Sequence, residues 1–271
     1  MMGKFVHLQV KSHYSISSGL PRTNQIVDKA IENNMASVAL TDKNSFFGLV
    51  KFYNYAISKG IKPICGVDFD IKISENLYSN VVLLAKNKKG LENLFQLSTK
   101  AFTESAKGKI CLLERDILAN LDDLICIMPT SCDHLEYLAG KDDYTDLHIK
   151  LENYLSSFKD NIFLGASCFD DRGYSTTTNT LCNYAFKKGV PVVGLNDVLF
   201  LSKKDHLAHQ AKVSINNSTL LKDEINNPNV SSEQYFKTAE EMQLMHSNEI
   251  LNNTNEVAKS CNVFLEEGQY Y

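Results

Sequence analysis

No apolar run in the 271-residue chain approaches the roughly 18 residues that a helix needs to cross a bilayer, so a membrane protein is excluded. The opening stretch MMGKFVHLQV has neither an apolar signal core nor a small-residue cleavage site, which points to a cytoplasmic location. Basic charge is not in excess: 28 Lys and Arg stand against 32 Asp and Glu. The net charge of -4 argues against a domain that holds nucleic acid by counterion release. No C-x-x-C pair occurs among the seven cysteines, which mostly sit in apolar segments such as PICGV and DLICIM and are read as buried thiols. A G-x-S-x-G elbow, a Walker loop and a G-x-G-x-x-G fingerprint are all missing, so nucleophile-elbow hydrolases, P-loop enzymes and dinucleotide oxidoreductases lack support. No low-complexity or Pro/Gly-rich linker divides the chain, and residues 1–271 read as one domain. The closing FLEEGQYY carries no stop signal, as expected of a chain cut at a domain boundary.

What is present is an alternation of β-rich runs and amphipathic stretches. Strands are expected at Phe5–Val10, Ser37–Thr41, Pro63–Ile71, Asn80–Lys86, Leu124–Met128, Asn161–Ser167 and Pro191–Asn196. Helices are expected at Thr23–Asn34, Asn44–Lys59, Thr178–Lys188, Lys203–Ile215, Thr238–His246 and Glu249–Ser260, with Asn216–Ser232 as a long loop. In Asn44–Lys59 the residues Phe46, Phe47, Leu49, Val50, Phe52, Tyr53, Ala56 and Ile57 suggest a broad buried stripe, and Gly60 and Gly189 suit left-handed helix stops. Strand–helix repetition along the whole chain implies an α/β fold with a parallel sheet covered by helices, and seven units suggest closure into a TIM-like (β/α)7 barrel.

In such a barrel the chemistry collects at the C-terminal ends of the strands, and here those ends are polar. Strand one exits through Gln9, Lys11 and His13, strand two through Asp42 and Lys43, and strand three carries Asp68. The later strands add Thr130, Ser131, Ser167, Cys168, Asn196 and Asp197.

Three blocks carry a family resemblance: FVHLQVKSHYSISSGLP (5–21), SVALTDKNSFFGLVKFYNYAISKGIKPICGVDFDI (37–71) and PVVGLNDVLFLSKKDHLAHQA (191–211). They resemble signature blocks of the polymerase and histidinol phosphatase (PHP) domain, in the version that opens the α subunit of bacterial DNA polymerase III. The stretches SSEQYFKTAEEM and NNTNEVAKSCNVFLEEGQYY extend the likeness to the last residue. The resemblance implies a (β/α)7 barrel, and makes the chain the N-terminal fragment of a longer polymerase.

Active members of that family resemble metallo-phosphoesterases, whose clustered His, Asp and Glu ligands hold metals that activate water and neutralise phosphate oxygens. This sequence departs at almost every such position. The His-x-His pair is matched by Gln9 and Lys11, and the acid of the following turn by Ser18. Thr41, Asp42 and Lys43 stand for a Thr-Asp-His block, Asp68 for a glutamate and Asn80 for a histidine. Asn196, Asp197, Val198 and Leu199 stand for an Asn-Asp-x-His block, and Cys168 with Phe169 for a further histidine. Lysine has no free lone pair while protonated and repels a cation, so the metal site is read as lost, with no cofactor and no catalytic residue in this chain. His7 and His13 are expected beside the old site as structural histidines. His206 and His209 are expected to form a solvated or pocket-edge pair, and His134, His148 and His246 to lie on the surface. Lys11, Lys43, Asp42, Asp68 and Asp197 are expected to face one cavity, Lys43 neutralising Asp42.

The resemblance thus implies a non-catalytic domain packed against the polymerase body of the same chain. It also implies a platform for the proofreading 3′–5′ exonuclease subunit among other replisome subunits. DNA would be met, and Mg used, only through the rest of the parent chain. Two alternatives stay open: an active metallo-phosphoesterase (exonuclease or pyrophosphatase) using Asp42, Asp68 and Asp197, and a phosphate-binding barrel using Lys11 and Lys43.

Overall fold

The structure is a computed structural model and describes residues 5–75, 77–105, 109–118, 123–132, 135, 152–154, 156–168, 175–226 and 230–266. Its strands are β1 (Ser37–Leu40), β2 (Lys62–Lys72), β3 (Tyr78–Ala85), the short β4 (Leu112–Leu113), β5 (Leu124–Pro129), β6 (Ile162–Ser167) and β7 (Val192–Leu195). The helices are α1 (Thr23–Glu32), α2 (Leu49–Ser58), α3 (Lys88–Thr103), α4 (Glu114–Leu118), α5 (Thr176–Lys188), α6 (His206–Asn217), α7 (Leu221–Asn226), α8 (Ala239–Gln243) and α9 (Asn248–Ser260). The sheet order is β1-β2-β3-β5-β6-β7, with β4 on β2.

The two ends of this sheet are joined through the N-terminal segment. Ala39 and Thr41 donate their backbone N–H groups to the carbonyls of His7 and Val10 on one side. On the other, Lys11 donates to Val198 and Val198 to Gln9. Residues 5–10 therefore occupy the place of the first expected strand, although only Val10 forms a bridge, with Val198. The result is an α/β barrel of the TIM-like class. One strand departs from the parallel pattern: β3 runs antiparallel to both β2 and β5. The physical reason is length. The few residues between β2 and β3 suffice for a hairpin turn and not for a crossover, which takes a dozen or more.

Inside the barrel, Val6, Leu8, Ala39, Ile64, Val82, Leu84, Ile125, Ile127, Val193 and Leu195 pack as one core. Outside it, Ile26, Val27 and Ala30 of α1 and Phe52 and Ala56 of α2 join a second core with Val38 and Leu40. Gly60 and Gly189 both stop their helices with positive φ, at 73° and 71°. The helix expected at Asn44–Lys59 begins only at Leu49, after a turn at Phe47 and Gly48, and the broad stripe is not buried: Leu49, Phe52, Tyr53 and Ala56 are buried, whereas Phe47, Val50 and Ile57 are exposed. The expected long loop after residue 215 is interrupted by α7. All seven cysteines are free and buried. Among the described residues no helix is long and apolar enough to cross a membrane.

Candidate functional site

The alternation of β2 carries Ile64 into the barrel core and Asp68, four residues on, to the mouth. Asp68 is fully buried and receives four donors. Its Oδ1 accepts from Lys43 Nζ at 3.0 Å and Asn80 Nδ2 at 3.0 Å. Its Oδ2 accepts from Gln9 Nε2 at 2.8 Å and lies 2.9 Å from Lys11 Nζ. A carboxylate offers about four lone-pair sites, so this one is saturated. Lys11 also pairs with Asp197, and Lys43 reaches Asp70 at 3.0 Å. Asn44, held at φ 54°, fixes Asp70 from both sides by donating to its carboxylate and accepting from its N–H. Burial alone would raise the Asp68 pKa, but the two ammonium groups outweigh it and hold the carboxyl below its ordinary value. Lys43 and Lys11 are in turn pulled down by burial and pushed higher overall, Lys43 by Asp68 and Asp70, Lys11 by Asp197 and Asp68.

Asp42 occupies a separate nest. One carboxylate oxygen accepts from Ser12 N–H at 2.7 Å and Ser15 Oγ at 2.6 Å, the other from Ser12 Oγ at 2.7 Å. Burial raises its pKa, and the serine donors only temper the rise. The loop that supplies them is folded tightly: a Cβ on Gly19 would stand 1.9 Å from the Ser12 carbonyl oxygen, which only glycine permits. His209 Nε2 lies 2.7 Å from the Ser18 carbonyl and pins the same loop to α6. The expected Lys43–Asp42 pairing is thus replaced. Lys43 turns to Asp68 and Asp70, because Asp42 is already satisfied by hydroxyl and backbone donors.

Gln9, Lys11, Lys43, Asp68, Asn80 and Asp197 come together; other expected pocket residues do not. His7 points to the outer wall, since its neighbours Val6 and Leu8 take the interior. Its Nε2 meets the Lys237 carbonyl at 2.9 Å, its ring packs between Phe5 and Phe236, and burial lowers its pKa to about 4. Asn196 likewise turns outward and donates to the Tyr235 carbonyl. Thr130 accepts from Ser167 N–H and links β6 to Thr178 of α5. Leu199 is buried, Ser18 is half-buried and His13 is exposed. His209 is buried on Phe200, and His246 is buried rather than on the surface, its pKa lowered to about 4 by burial. Phe169, His134 and His148 lie outside the described residues.

Two participants escaped the sequence reading. Asp70 shares the pleat of Asp68 two residues away, a period-2 signal that was there to be used. Lys237 is a buried ammonium 3.2 Å from Glu233 and 4.2 Å from the Tyr235 ring centroid, on the outer wall beside His7. Only its i,i+4 spacing from Glu233 was visible in the sequence. Among the described residues, no three His, Cys, Asp or Glu side chains are grouped so as to hold a metal ion. The donors around Asp68 are two ammoniums and two amide NH2 groups, a set that suits a carboxylate and does not suit a divalent cation.

Comparison with known proteins adds the following. The family model described as PHP domain matches residues 7–166. The DNA polymerase III subunit alpha of Escherichia coli (strain K12) is 33% identical over 276 residues, covering 99% of this chain and 24% of that protein. The corresponding subunit of Buchnera aphidicola subsp. Acyrthosiphon pisum (strain APS) is 32% identical over 274 residues, with the same shares covered. The chain therefore spans about a quarter of the length of these relatives. Among solved structures, an amidohydrolase from Chromobacterium violaceum aligns with a TM-score of 0.49 at 12% identity, over 72% of this chain and 87% of that one.

Proposed function

This chain belongs to the PHP domain family, and from that premise we propose that it is a non-catalytic scaffold domain serving DNA replication within a polymerase α subunit. In this reading ammonium groups have taken the place of metal ions, no divalent cofactor is bound, and the barrel offers a surface to the proofreading exonuclease subunit and to the polymerase body. The observation that carries the proposal is the double engagement of Asp68 by Lys11 and Lys43. To bind a divalent cation there, Asp68 would have to shed both ammoniums and both amides, and the cation would then face two uncompensated positive charges. The same engagement weighs against a phosphate site, because both lysines already spend their charge on Asp68, Asp70 and Asp197. The replication role draws on the 24% of the α subunits that this chain matches.

Two assays test it. Incubated with a 3′-labelled oligonucleotide and Mn2+, the purified chain is expected to release no nucleotide; chelator-sensitive release with contaminating nuclease excluded would overturn the non-catalytic reading. Mixed at micromolar concentration with the exonuclease subunit from the same organism, it is expected to co-elute in gel filtration. Separate elution would remove the docking role and leave the non-catalytic one standing.

A further inference from the structure

A groove of about 600 Å3 opens beside the lysine–aspartate cluster, and its walls are unlike the rest of the mouth. Ile16, Phe47 and Phe102 line it while remaining 74%, 64% and 43% exposed. Phe47 and Phe102 meet with their rings tilted, centroids 6.1 Å apart, so the apolar floor runs from the turn before α2 to the end of α3. Exposed apolar side chains clustered in a concave site, rather than scattered, mark a place where a partner is bound. Phe47 belongs to the segment that the pattern of α2 marked for burial, and nothing among the described residues covers it.

The charges at the rim identify the partner. Lys43 and Asp70, which also line the groove, are ion-paired at 3.0 Å within the Asp68 cluster. Lys109 instead lies 3.5 Å from the centroid of the Tyr78 ring, and Lys51 donates to the Tyr14 hydroxyl at 2.9 Å. Neither has a carboxylate partner among the described residues. Among the described residues, two lysines without a carboxylate partner therefore stand by the apolar floor, Lys109 in the groove wall and Lys51 behind the wall residue Tyr14, in a molecule whose net charge is -4.

We propose that this groove docks a peptide segment of a partner protein that carries an aromatic or aliphatic anchor flanked by Asp or Glu. The anchor would cover Phe47 and Phe102, and the carboxylates would pair with Lys109 and Lys51 in place of the ring and the phenol. Aliphatic Ile16 and Ile110 in the wall favour a peptide over stacked bases, and two lysines without a carboxylate partner among the described residues are few for a phosphate backbone. The proposal deepens the docking reading above but rests on a separate observation.

The test is a phage-displayed dodecapeptide selection on the full chain, followed by titration of the enriched peptides against wild type, Phe47→Ser and Lys109→Glu. Both altered positions are exposed, and thermal melts would verify that the variants fold. Enriched peptides are expected to combine a large apolar residue with Asp or Glu, and to bind each variant at least about tenfold more weakly. Absence of enrichment, enrichment of basic peptides, or equal binding to the variants would overturn the proposal. So would tighter binding of a thymidine oligonucleotide than of any peptide. Running the exonuclease subunit against Phe47→Ser separates the two readings. Undiminished co-elution would leave exonuclease docking in place and detach it from this groove, whereas selected peptides without exonuclease binding would do the reverse.

Discussion

Asp42, just past the end of β1, and Asp68, within the neighbouring β2, are both buried, and they are held by opposite means. Asp68 is surrounded by two ammoniums and two amides, and its carboxyl is held below its ordinary pKa. Asp42 is held by two serine hydroxyls and one backbone N–H, and burial leaves its pKa above the ordinary value. Both sets of contacts satisfy the oxygens as hydrogen-bond acceptors. Here the two ammoniums more than offset the desolvation of Asp68, whereas the dipoles of the Ser12–Ser15 loop offset that of Asp42 only in part. The contrast locates where the domain depends on charge, and it gives the proposed replacement of metal by lysine a measurable consequence.

The largest effect is expected at Lys11, which is 3% exposed and bonded to two carboxylates. Lys11→Met should destabilise the fold by about 3–5 kcal/mol in urea melts, because it leaves Asp68 and Asp197 short of a counter-charge. Adding Asp68→Asn should recover part of that loss, a coupling of roughly 1–3 kcal/mol. Next comes Lys43, which is 27% exposed and should cost about 2 kcal/mol as Lys43→Met. Its effect should couple to Asp70→Asn, and should add to that of Asp42→Asn within about 0.5 kcal/mol, since the Lys43 ammonium is turned away from Asp42. Coupling to Asp42 instead would break the distinction between the two nests. Asp42→Asn alone should cost only about 1 kcal/mol, because the amide is isosteric and burial already disfavours the carboxylate charge it removes.

The pH dependence sharpens the same contrast through its sign. Asp68 titrates low in the fold, so its contribution is complete above the ordinary carboxylate pKa of 3.8 and is lost as pH falls below it. The stability gap between wild type and Asp68→Asn should therefore narrow in acid. Asp42 titrates high in the fold, so the folded state takes up its proton first as pH falls from neutrality toward 3.8. The gap between wild type and Asp42→Asn should widen over that range. Urea melts at a series of pH values would read both slopes, and slopes of the same sign would contradict the account.

Much of this was legible in the sequence, and the failures have physical causes. The positions of β1, β2, β3, β5, β6 and β7 followed from apolar runs bounded by Gly, Pro and Asn, whereas the two-residue β4 is too short to leave a pattern. The antiparallel course of β3 did not, because periodicity reports a strand and not its direction, although the brevity of residues 73–77 carried that information. Lys11, Lys43 and Asp68 were placed at the mouth by the strand ends, yet their pairing depends on side-chain reach across strands, which no one-dimensional pattern encodes. His7 was misplaced for a simpler reason: strand alternation sends it outward once Val6 and Leu8 are inward. Phe47 is exposed because the chain turns at Phe47 and Gly48 and the helix begins only at Leu49, so the helical period that put Phe47 on the buried stripe does not reach it. Lys237 was illegible because its burial depends on the C-terminal helices closing over the barrel wall.

The most direct test of the central claim is the metal content of the chain, measured by inductively coupled plasma mass spectrometry after expression in medium supplemented with Mn, Zn and Fe and purification without chelator. With lysine ammoniums occupying the cation positions around Asp68, the account predicts that every divalent metal is substoichiometric and that Asp68→Asn leaves the result unchanged. One or more equivalents of metal per chain, lost in Asp68→Asn, would contradict it.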